Sequence, residues 1–464
     1  MTDPAVASSA DPAARPLAVI VLAAGKGTRM NSARHKVLHP IAGRPMIDHL
    51  LASVAALSPA RTVVVVGEAR EQLERHLAGR AEFAVQDPQL GTGHAVAQAE
   101  GALAGFVGDV LVLYGDVPFV SAATMRAMLA RLHAADEPEA VVLGFEPADP
   151  LGYGRIVTDR DGGIAKMVEH KDASPAERAV RLCNSGLLAA PADVLFMLLR
   201  GIGNDNVQGE YYLPDVVNLA IERGGACAVI VTDDADEVAG INSRGELAAA
   251  EARWQQARRA RAMAEGATLI APETVYFSWD TQLGRDVTVE PGVVFGPGVS
   301  IADEVTIHAF SHLEGARLER GTAVGPYARL RPGSVMGEGA RIGNFVEMKN
   351  ATLGAGAKAN HLTYLGDATV GAGANIGAGT ITCNFDGYFK HRTEIGPRAF
   401  IGSNSALIAP VRIGADAIVA AGSAVSRDVG DGELRLVRAE QLVKPGWADR
   451  FHDAMKKKKA AEKG

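Results

Sequence analysis

The sequence predicts an α/β chain in three parts: a Rossmann-like sheet flanked by helices, a connecting helix, and a parallel β-helix of hexapeptide repeats. Three observations carry this expectation. Short apolar runs alternate with amphipathic stretches from Leu17 to about Asn242, a proline-free segment dense in Ala, Arg and Glu follows, and beyond it aliphatic residues recur every six positions. At 464 residues the chain also exceeds what one hydrophobic core usually supports, so length alone calls for two domains.

In the first part, the apolar runs LAVIVLAAG, TVVVVG and VLVLYGD have the length of buried strands. Stretches between them, such as MIDHLLASVAAL, carry the period of helices packed on a parallel sheet. This domain is expected over 17–244. Ahead of it, MTDPAVASSADPAARP places acids and prolines where a signal peptide needs a basic end and an apolar run, so 1–16 is expected to be a floppy tail. The helix formers of ELAAAEARWQQARRARAMAEG predict a connecting helix over 245–266.

The third part, 267–464, is a repeat array. Leu283, Val289, Phe295, Ile301, Ile307 and Leu313 fall six apart; after a one-residue slip Leu318, Val324, Leu330, Met336, Ile342 and Met348 do the same. Val370 and Ile376 precede a break, and Ile395, Ile401, Leu407, Ile413, Val419 and Val425 resume the period. The physical reading is a coil of three short strands per turn, each sending one aliphatic side chain inward, with small residues such as Gly and Ala at the corners. Sandwich strands alternate with period two instead. The segment TCNFDGYFKHR, 382–392, breaks the period and is expected to loop out. The closing run MKKKKAAEKG reads as a solvated end.

Composition narrows the function. Lys plus Arg number 47 against 54 Asp plus Glu, a net charge of −7, which offers no overall attraction to nucleic acid or to anionic lipid and favours small-molecule substrates. Cys183, Cys227 and Cys383 form no CxxC or metal-ligand pattern, and no apolar run approaches a membrane span, so a reducing, cytoplasmic setting is expected.

Chemistry-bearing motifs sit at strand ends. LAAGKGTRM puts Gly25 and Gly27 at a strand-to-loop turn where backbone N–H groups can reach phosphate, with Lys26, Arg29 and Lys36 adding positive charge; a tight structural turn is the plainer alternative. VLVLYGD ends in Asp116, at the carboxyl end of a parallel strand, where open α/β sheets bind ligands and where a Mg²⁺ ligand would sit; a turn or helix cap is the competing role. QLGTGHA is a second glycine loop. In the third part, His361 and Tyr364 of HLTYLGD break the aliphatic pattern, and Arg331 and Lys349, one coil apart, would stack their charges toward an anion.

In order along the chain, LAAGKGTRM with its following lysine, QLGTGHA, YGDVP, GYGRI, VEHKDA, NSG and GIN resemble the sugar-1-phosphate nucleotidyltransferases. Joined to the repeat half, the chain from about Leu17 to Trp447 resembles the family of bifunctional N-acetylglucosamine-1-phosphate uridylyltransferases and glucosamine-1-phosphate N-acetyltransferases. That resemblance implies an N-terminal nucleotidyltransferase domain and a left-handed β-helix, an exception to the right-handed crossover rule. It implies acetyl transfer from acetyl-CoA to glucosamine-1-phosphate, then uridylyl transfer from UTP, supplying UDP-N-acetylglucosamine for cell-wall synthesis. It also implies a homotrimer, with acetyltransferase sites between coils of neighbouring chains.

Carried onto this sequence, the resemblance implies that nucleotide and sugar are held by Leu22, Ala23, Ala24, Gly25, Lys36, Gln86, Gly91, Thr92, Tyr114, Gly115, Asp116, Gly154, Glu169, Asn184 and Asn242. Asp116 and Asn242 would hold Mg²⁺, while Arg29 and Lys36 neutralise the leaving pyrophosphate. In the acetyltransferase half it implies His361 as general base, Arg331, Lys349, Tyr364 and Asn375 for glucosamine-1-phosphate, and Ala378, Asn384, Phe385, Ser403, Ala421 and Arg438 for acetyl-CoA. Two departures stand out. The family usually has proline where His35 precedes Lys36, which suggests a less rigid loop, and often tyrosine where Phe385 stands.

Two other readings stay open. In one, a single-activity nucleotidyltransferase carries a β-helix that only oligomerises or regulates; in the other, a non-catalytic protein keeps two old folds. His361, Tyr364, Asn375 and Asn384 beside Arg331 and Lys349 speak against the first, since a pure scaffold needs none of them, and the presence of Lys36, Asp116 and His361 speaks against the second.

Overall fold

The structure is a computed structural model that describes residues 15–150, 152–160 and 162–462; most of the expected N-terminal tail lies outside them. The chain forms two compact units, Met1–Gln255 and Gln256–Gly464.

The first unit is built on a twisted sheet whose strands run, edge to edge, Cys227–Thr232, Ala140–Phe145, Cys183–Pro191, Asp109–Tyr114, Leu17–Leu22, Arg61–Val66 and Glu82–Val85. Among these seven strands the pairings are parallel except for Cys183–Pro191, which lies antiparallel to its neighbours, and two further strands of the sheet, Arg155–Thr158 and Ile164–Val168, join antiparallel beside it, so the sheet departs from the all-parallel one expected. Strand Leu17–Leu22 is buried along its whole length, as its unbroken apolar run requires for a sheet covered on both faces. It is also the place where the strand order reverses, with Arg61–Val66 on one side and Asp109–Tyr114 on the other. The crevice at the carboxyl ends of these strands is where doubly wound sheets bind ligands.

The helix Arg244–Ala264 begins with a capping box. Ser243 Oγ accepts from the Glu246 N–H at 3.2 Å, and Glu246 Oε2 accepts from the Ser243 N–H at 2.9 Å. The same carboxylate accepts from the Asn242 N–H at 2.6 Å, so the cap also sets the backbone of the GIN loop.

The second unit is a parallel β-helix of three sheets, with ten, eight and eight strands of two to four residues. It has the coil architecture expected of the left-handed class. Register matches the repeat: Ile301 opposes Leu318, Ile307 opposes Val324, and Leu330 opposes Met348. Leu353, Ala359 and Leu365, six apart and all buried, fill the interval the aliphatic pattern left open between Met348 and Val370, with a one-residue slip at each end.

Three expectations are corrected. Thr382 and Cys383 remain in the coil, paired with Leu407 and Ile408, so the excursion covers only Asn384–Arg392. Thr382 fills an inward position because its hydroxyl is satisfied on the spot, accepting from the Gly366 N–H at 2.8 Å and donating to the Gly366 carbonyl at 3.0 Å. HLTYLGD does not interrupt the coil either, since Lys358–His361 and Tyr364–Gly366 are ladder strands. Finally, one corner column carries large residues, Phe310, Tyr327, Phe345 and Leu362, all at left-handed φ between 48° and 57°. The first three rings stack at centroid distances of 5.1 and 5.5 Å, a contact that offsets part of the strain of that conformation. The C-terminal helix Trp447–Ala461 has no buried residue.

Candidate functional sites

A cavity of about 370 Å³ opens at the crevice of the first unit, lined by Leu22, Ala23, Ala24, Gly25, Lys36, Gln86, Gly91, Thr92, Tyr114 and Asp116 from the expected set. Val37, Gln89, Ala95 and Glu210 complete the lining and were not singled out from sequence. Gln89 ties the two glycine loops together by donating to the Ala24 carbonyl, and its place inside QLGTGHA was the available signal. Gly91 must be glycine, because its φ is +107° and a Cβ would meet the Tyr211 carbonyl oxygen at 2.5 Å.

Lys36 is the centre of the site. Its Nζ donates to Asp116 Oδ2 at 2.5 Å and to Asn242 Oδ1 at 3.0 Å, residues 80 and 206 positions away in the chain. Both side chains of the ion pair are mostly buried, with 13% and 15% exposed, so solvent screens the pair little. The Ile241 N–H donates to the Asp116 carbonyl at 2.9 Å, pinning the GIN loop against the end of the YGD strand. One carboxylate oxygen and one amide oxygen therefore point at a single spot. This hard-oxygen pair, with room for water and phosphate ligands, suits Mg²⁺ better than metals that prefer nitrogen or sulfur.

His35 takes φ −56°, close to the angle a proline would impose. Its N–H, which proline lacks, donates to Gln72 Oε1 at 2.9 Å, and Gln72 Nε2 donates to the Ala33 carbonyl at 2.9 Å. The loop is thus held by a side-chain clamp. The His35 ring is buried, and neither nitrogen makes a well-aligned hydrogen bond among the described residues. Burial first, then the neighbouring Lys36 charge, pushes the imidazole down to about 4, against a weaker opposing pull from the Ala23 backbone.

Outside that lining, the Asn184 N–H donates to the Gly154 carbonyl at 2.9 Å, and Glu169 lies beside Gly154. Burial raises the Glu169 carboxyl above its usual range, helped by Asp215 and Asp172. Gly186 of the NSG motif, at φ +89°, lies under the Tyr114 ring, where a Cβ would come within 2.7 Å. Burial also raises the Tyr114 hydroxyl, so it stays protonated and able to donate. Gly115 joins Tyr114 to Asp116 and is buried, whereas Arg29, on the turn Thr28–Met30, is exposed and outside the cavity lining.

In the second unit, Arg331 Nη1 pairs with Glu347 Oε1 at 2.9 Å, and the Arg331 N–H donates to the Met348 carbonyl at 2.9 Å, which stacks Arg331 on the strand that carries Lys349. Tyr364 follows in the same sheet, opposite Glu347. Around the corner, His361 is exposed; its Nδ1 lies 3.0 Å from Asn344 Oδ1, the residue directly opposite it one coil earlier. An amide oxygen only accepts, so in the neutral ring this contact favours the tautomer with the proton on Nδ1 and the lone pair on Nε2. Asn344 and Glu347 were not identified from sequence. Their offsets of 17 and 16 residues from His361 and Arg331 were the signal, since one coil spans about that length.

Ala378, Ser403, Ala421 and Arg438 rise from His361 as one corner column. The Gly379 N–H reaches the His361 carbonyl at 3.4 Å, the Asn404 N–H the Ala378 carbonyl at 2.7 Å, the Gly422 N–H the Ser403 carbonyl at 2.8 Å, and Arg438 Nη1 the Ala421 carbonyl at 2.8 Å. Asn375 opposes Lys358 and Phe400 in the sheet of His361. Asn384 is buried and donates to Asp367 Oδ2 at 2.5 Å, whereas Phe385 is exposed on the excursion, with Lys390 Nζ 4.3 Å above its ring.

A family model for the MobA-like NTP transferase domain matches residues 19–172. Over most of its length the chain is 74% identical to a protein of Sphingopyxis alaskensis, covering 96% of this chain and 99% of that one. It is 78% identical to a protein of Novosphingobium aromaticivorans, covering 97% and 99%. A relative from Zymomonas mobilis is 56% identical, covering 96% and 99%. Each of the three is named bifunctional protein GlmU.

Proposed function

The chain belongs to the GlmU family of bifunctional proteins, and from that premise we propose that it makes UDP-N-acetylglucosamine in two steps at two separate sites. The β-helix moves an acetyl group from acetyl-CoA to the amine of glucosamine-1-phosphate; the sheet unit then joins the product to the uridylyl group of UTP and releases pyrophosphate. The observation that carries the reading is the convergence of Lys36, Asp116 and Asn242, the first two of which line the crevice.

Nucleotidyl transfer of this kind is metal-dependent. Mg²⁺ held by Asp116 and Asn242 would supply positive charge to the phosphates. The chain's own part is positional: the backbone of Leu22–Gly25 lines the phosphate end, Gln86 and Gly91 the base end, and Glu169 and Asn184 the sugar end. Lys36, with Arg29 from the neighbouring turn, offsets charge on the departing pyrophosphate, and an oxygen of the sugar phosphate attacks the α-phosphorus in line without a covalent enzyme intermediate.

At the second site the substrate amine is mostly protonated near neutral pH, and only its free form attacks the thioester. His361 Nε2 accepts the proton while Asn344 holds the ring. Arg331 and Lys349 receive the sugar phosphate, with Tyr364 and Asn375 beside it, and the column from Ala378 to Arg438 with Asn384 and Phe385 receives acetyl-CoA. A homotrimer would complete these exposed sites, and the chemistry suits the cytoplasm; no helix among the described residues is long and apolar enough to cross a membrane. The test follows CoA and pyrophosphate release from one sample given glucosamine-1-phosphate, acetyl-CoA, UTP and Mg²⁺. Both are expected. Pyrophosphate release from N-acetylglucosamine-1-phosphate without CoA release from glucosamine-1-phosphate would leave only the nucleotidyltransferase reading.

A further inference from the structure

A divalent cation and a lysine ammonium seek the same oxygens. In this chain the ammonium of Lys36 already bridges Asp116 Oδ2 and Asn242 Oδ1, at 2.5 and 3.0 Å, in a site where both members of the ion pair are largely removed from water. Neither oxygen is held there by chance. The Asp116 backbone is locked to Ile241, and the Asn242 backbone to the capping carboxylate of Glu246. The two acceptors are therefore presented to one point whether a metal or an ammonium stands at it. Lys36 is held in turn, since its loop is fixed by the Gln72 clamp on the preceding His35 N–H.

We infer that Lys36 is a resident competitor for the metal site: its ammonium occupies the Asp116–Asn242 oxygen pair and keeps the nucleotide-free enzyme a weak binder of divalent cations. This rests on the reading of that pair as the metal ligands. The two positive charges cannot share the spot, because like charges at contact distance in a poorly screened site repel strongly. A cation entering the site has to move the ammonium off both oxygens. Lys36 thus has a role in the free enzyme distinct from the charge it offers to phosphate during transfer.

The experiment measures Mn²⁺ binding to the full-length protein without nucleotide, by electron paramagnetic resonance of the free ion and by calorimetry, with circular dichroism to verify folding. Lys36→Met is expected to tighten Mn²⁺ binding about tenfold or more, because the competing charge is gone while both oxygens remain. Lys36→Arg keeps the charge and is expected to stay weak like the parent. Adding Asp116→Ala to Lys36→Met is expected to abolish the gain. Unchanged affinity in Lys36→Met, with loss of that binding in Lys36→Met/Asp116→Ala, would overturn the competitor role and leave the metal ligands standing. Equal Mn²⁺ binding with and without Asp116→Ala in both backgrounds would overturn the metal-site reading instead.

Discussion

The contact between Asn344 and His361 makes a quantitative claim about the acetyltransferase half. Asn344 Oδ1 lies 3.0 Å from His361 Nδ1, on the adjacent coil and in direct register, so the amide selects the tautomer that leaves Nε2 basic and fixes the plane of an otherwise exposed ring. Removing it by Asn344→Ala deletes one hydrogen bond whose net worth is about 0.5–1.5 kcal/mol, which corresponds to roughly a two- to twelvefold fall in rate. Exposure of the ring favours the lower end of that range. His361→Ala removes the base itself and is expected to cost about a hundredfold to ten-thousandfold. If Asn344 acts only through the histidine, the two losses cannot add, and the double variant should be no slower than His361→Ala alone. The assay is CoA release with glucosamine-1-phosphate across pH, with uridylyl transfer to N-acetylglucosamine-1-phosphate as an internal control that neither substitution should touch. The Asn344→Ala effect should fall on kcat rather than KM, and raised pH should partly rescue His361→Ala, because more of the amine is then free. Parental kcat for Asn344→Ala, or a double variant slower than His361→Ala by the full single-variant factor, would refute the positioning role. His361→Ala within about threefold of the parent would remove the histidine as base.

Asp116→Ala is expected to abolish pyrophosphate release while acetyl transfer stays near the parental rate, and equal loss of both would sink the two-site assignment. For His35 the folded imidazole titrates at about 4 against an ordinary 6.5, so the unfolded chain takes up a proton that the fold refuses. The stability this residue contributes is complete above pH 6.5 and drains away as pH falls toward 4, with about 2 kcal/mol gone by pH 5. Denaturant unfolding should therefore show a smaller difference between pH 7.5 and 5 for His35→Leu, which keeps the N–H to Gln72, than for the parent; identical pH dependence would contradict the buried neutral ring. Alkylation of half-buried Cys383, at the root of the excursion bearing Asn384 and Phe385, should slow acetyl transfer although Cys383→Ala remains active, and full activity after verified labelling would remove that stretch from the acetyl-CoA site.

What could be read from the chain without coordinates was whatever depends on local pattern. The period of six predicted a stacked coil because each strand must send one side chain inward, and Val289, Ile307, Val324 and Ile342, one coil apart across the single slip, are all buried. The continuous apolar run Leu17–Leu22 announced a strand covered on both faces, and Gly25 and Gly91 of the glycine loops beyond it line a cavity. Pattern reading failed where a polar group stood in for an apolar one. Thr382 satisfies its own hydroxyl inside the coil, and a search for aliphatics ended the strand one element too early.

Tertiary structure alone decided which distant groups meet. Nothing local in SARHKVLHP says that the Lys36 ammonium reaches across 80 and 206 residues to Asp116 and Asn242, or that Gln72 supplies from another helix the rigidity proline would have given the loop. The same holds for Asn344, which becomes the partner of His361 only because coils of 17 and 18 residues set particular side chains one above another. Local sequence governs backbone conformation and burial, since those depend on neighbours in the chain. The geometry of charge and proton transfer depends on neighbours in space, and one slipped residue in a coil would exchange every partner in it.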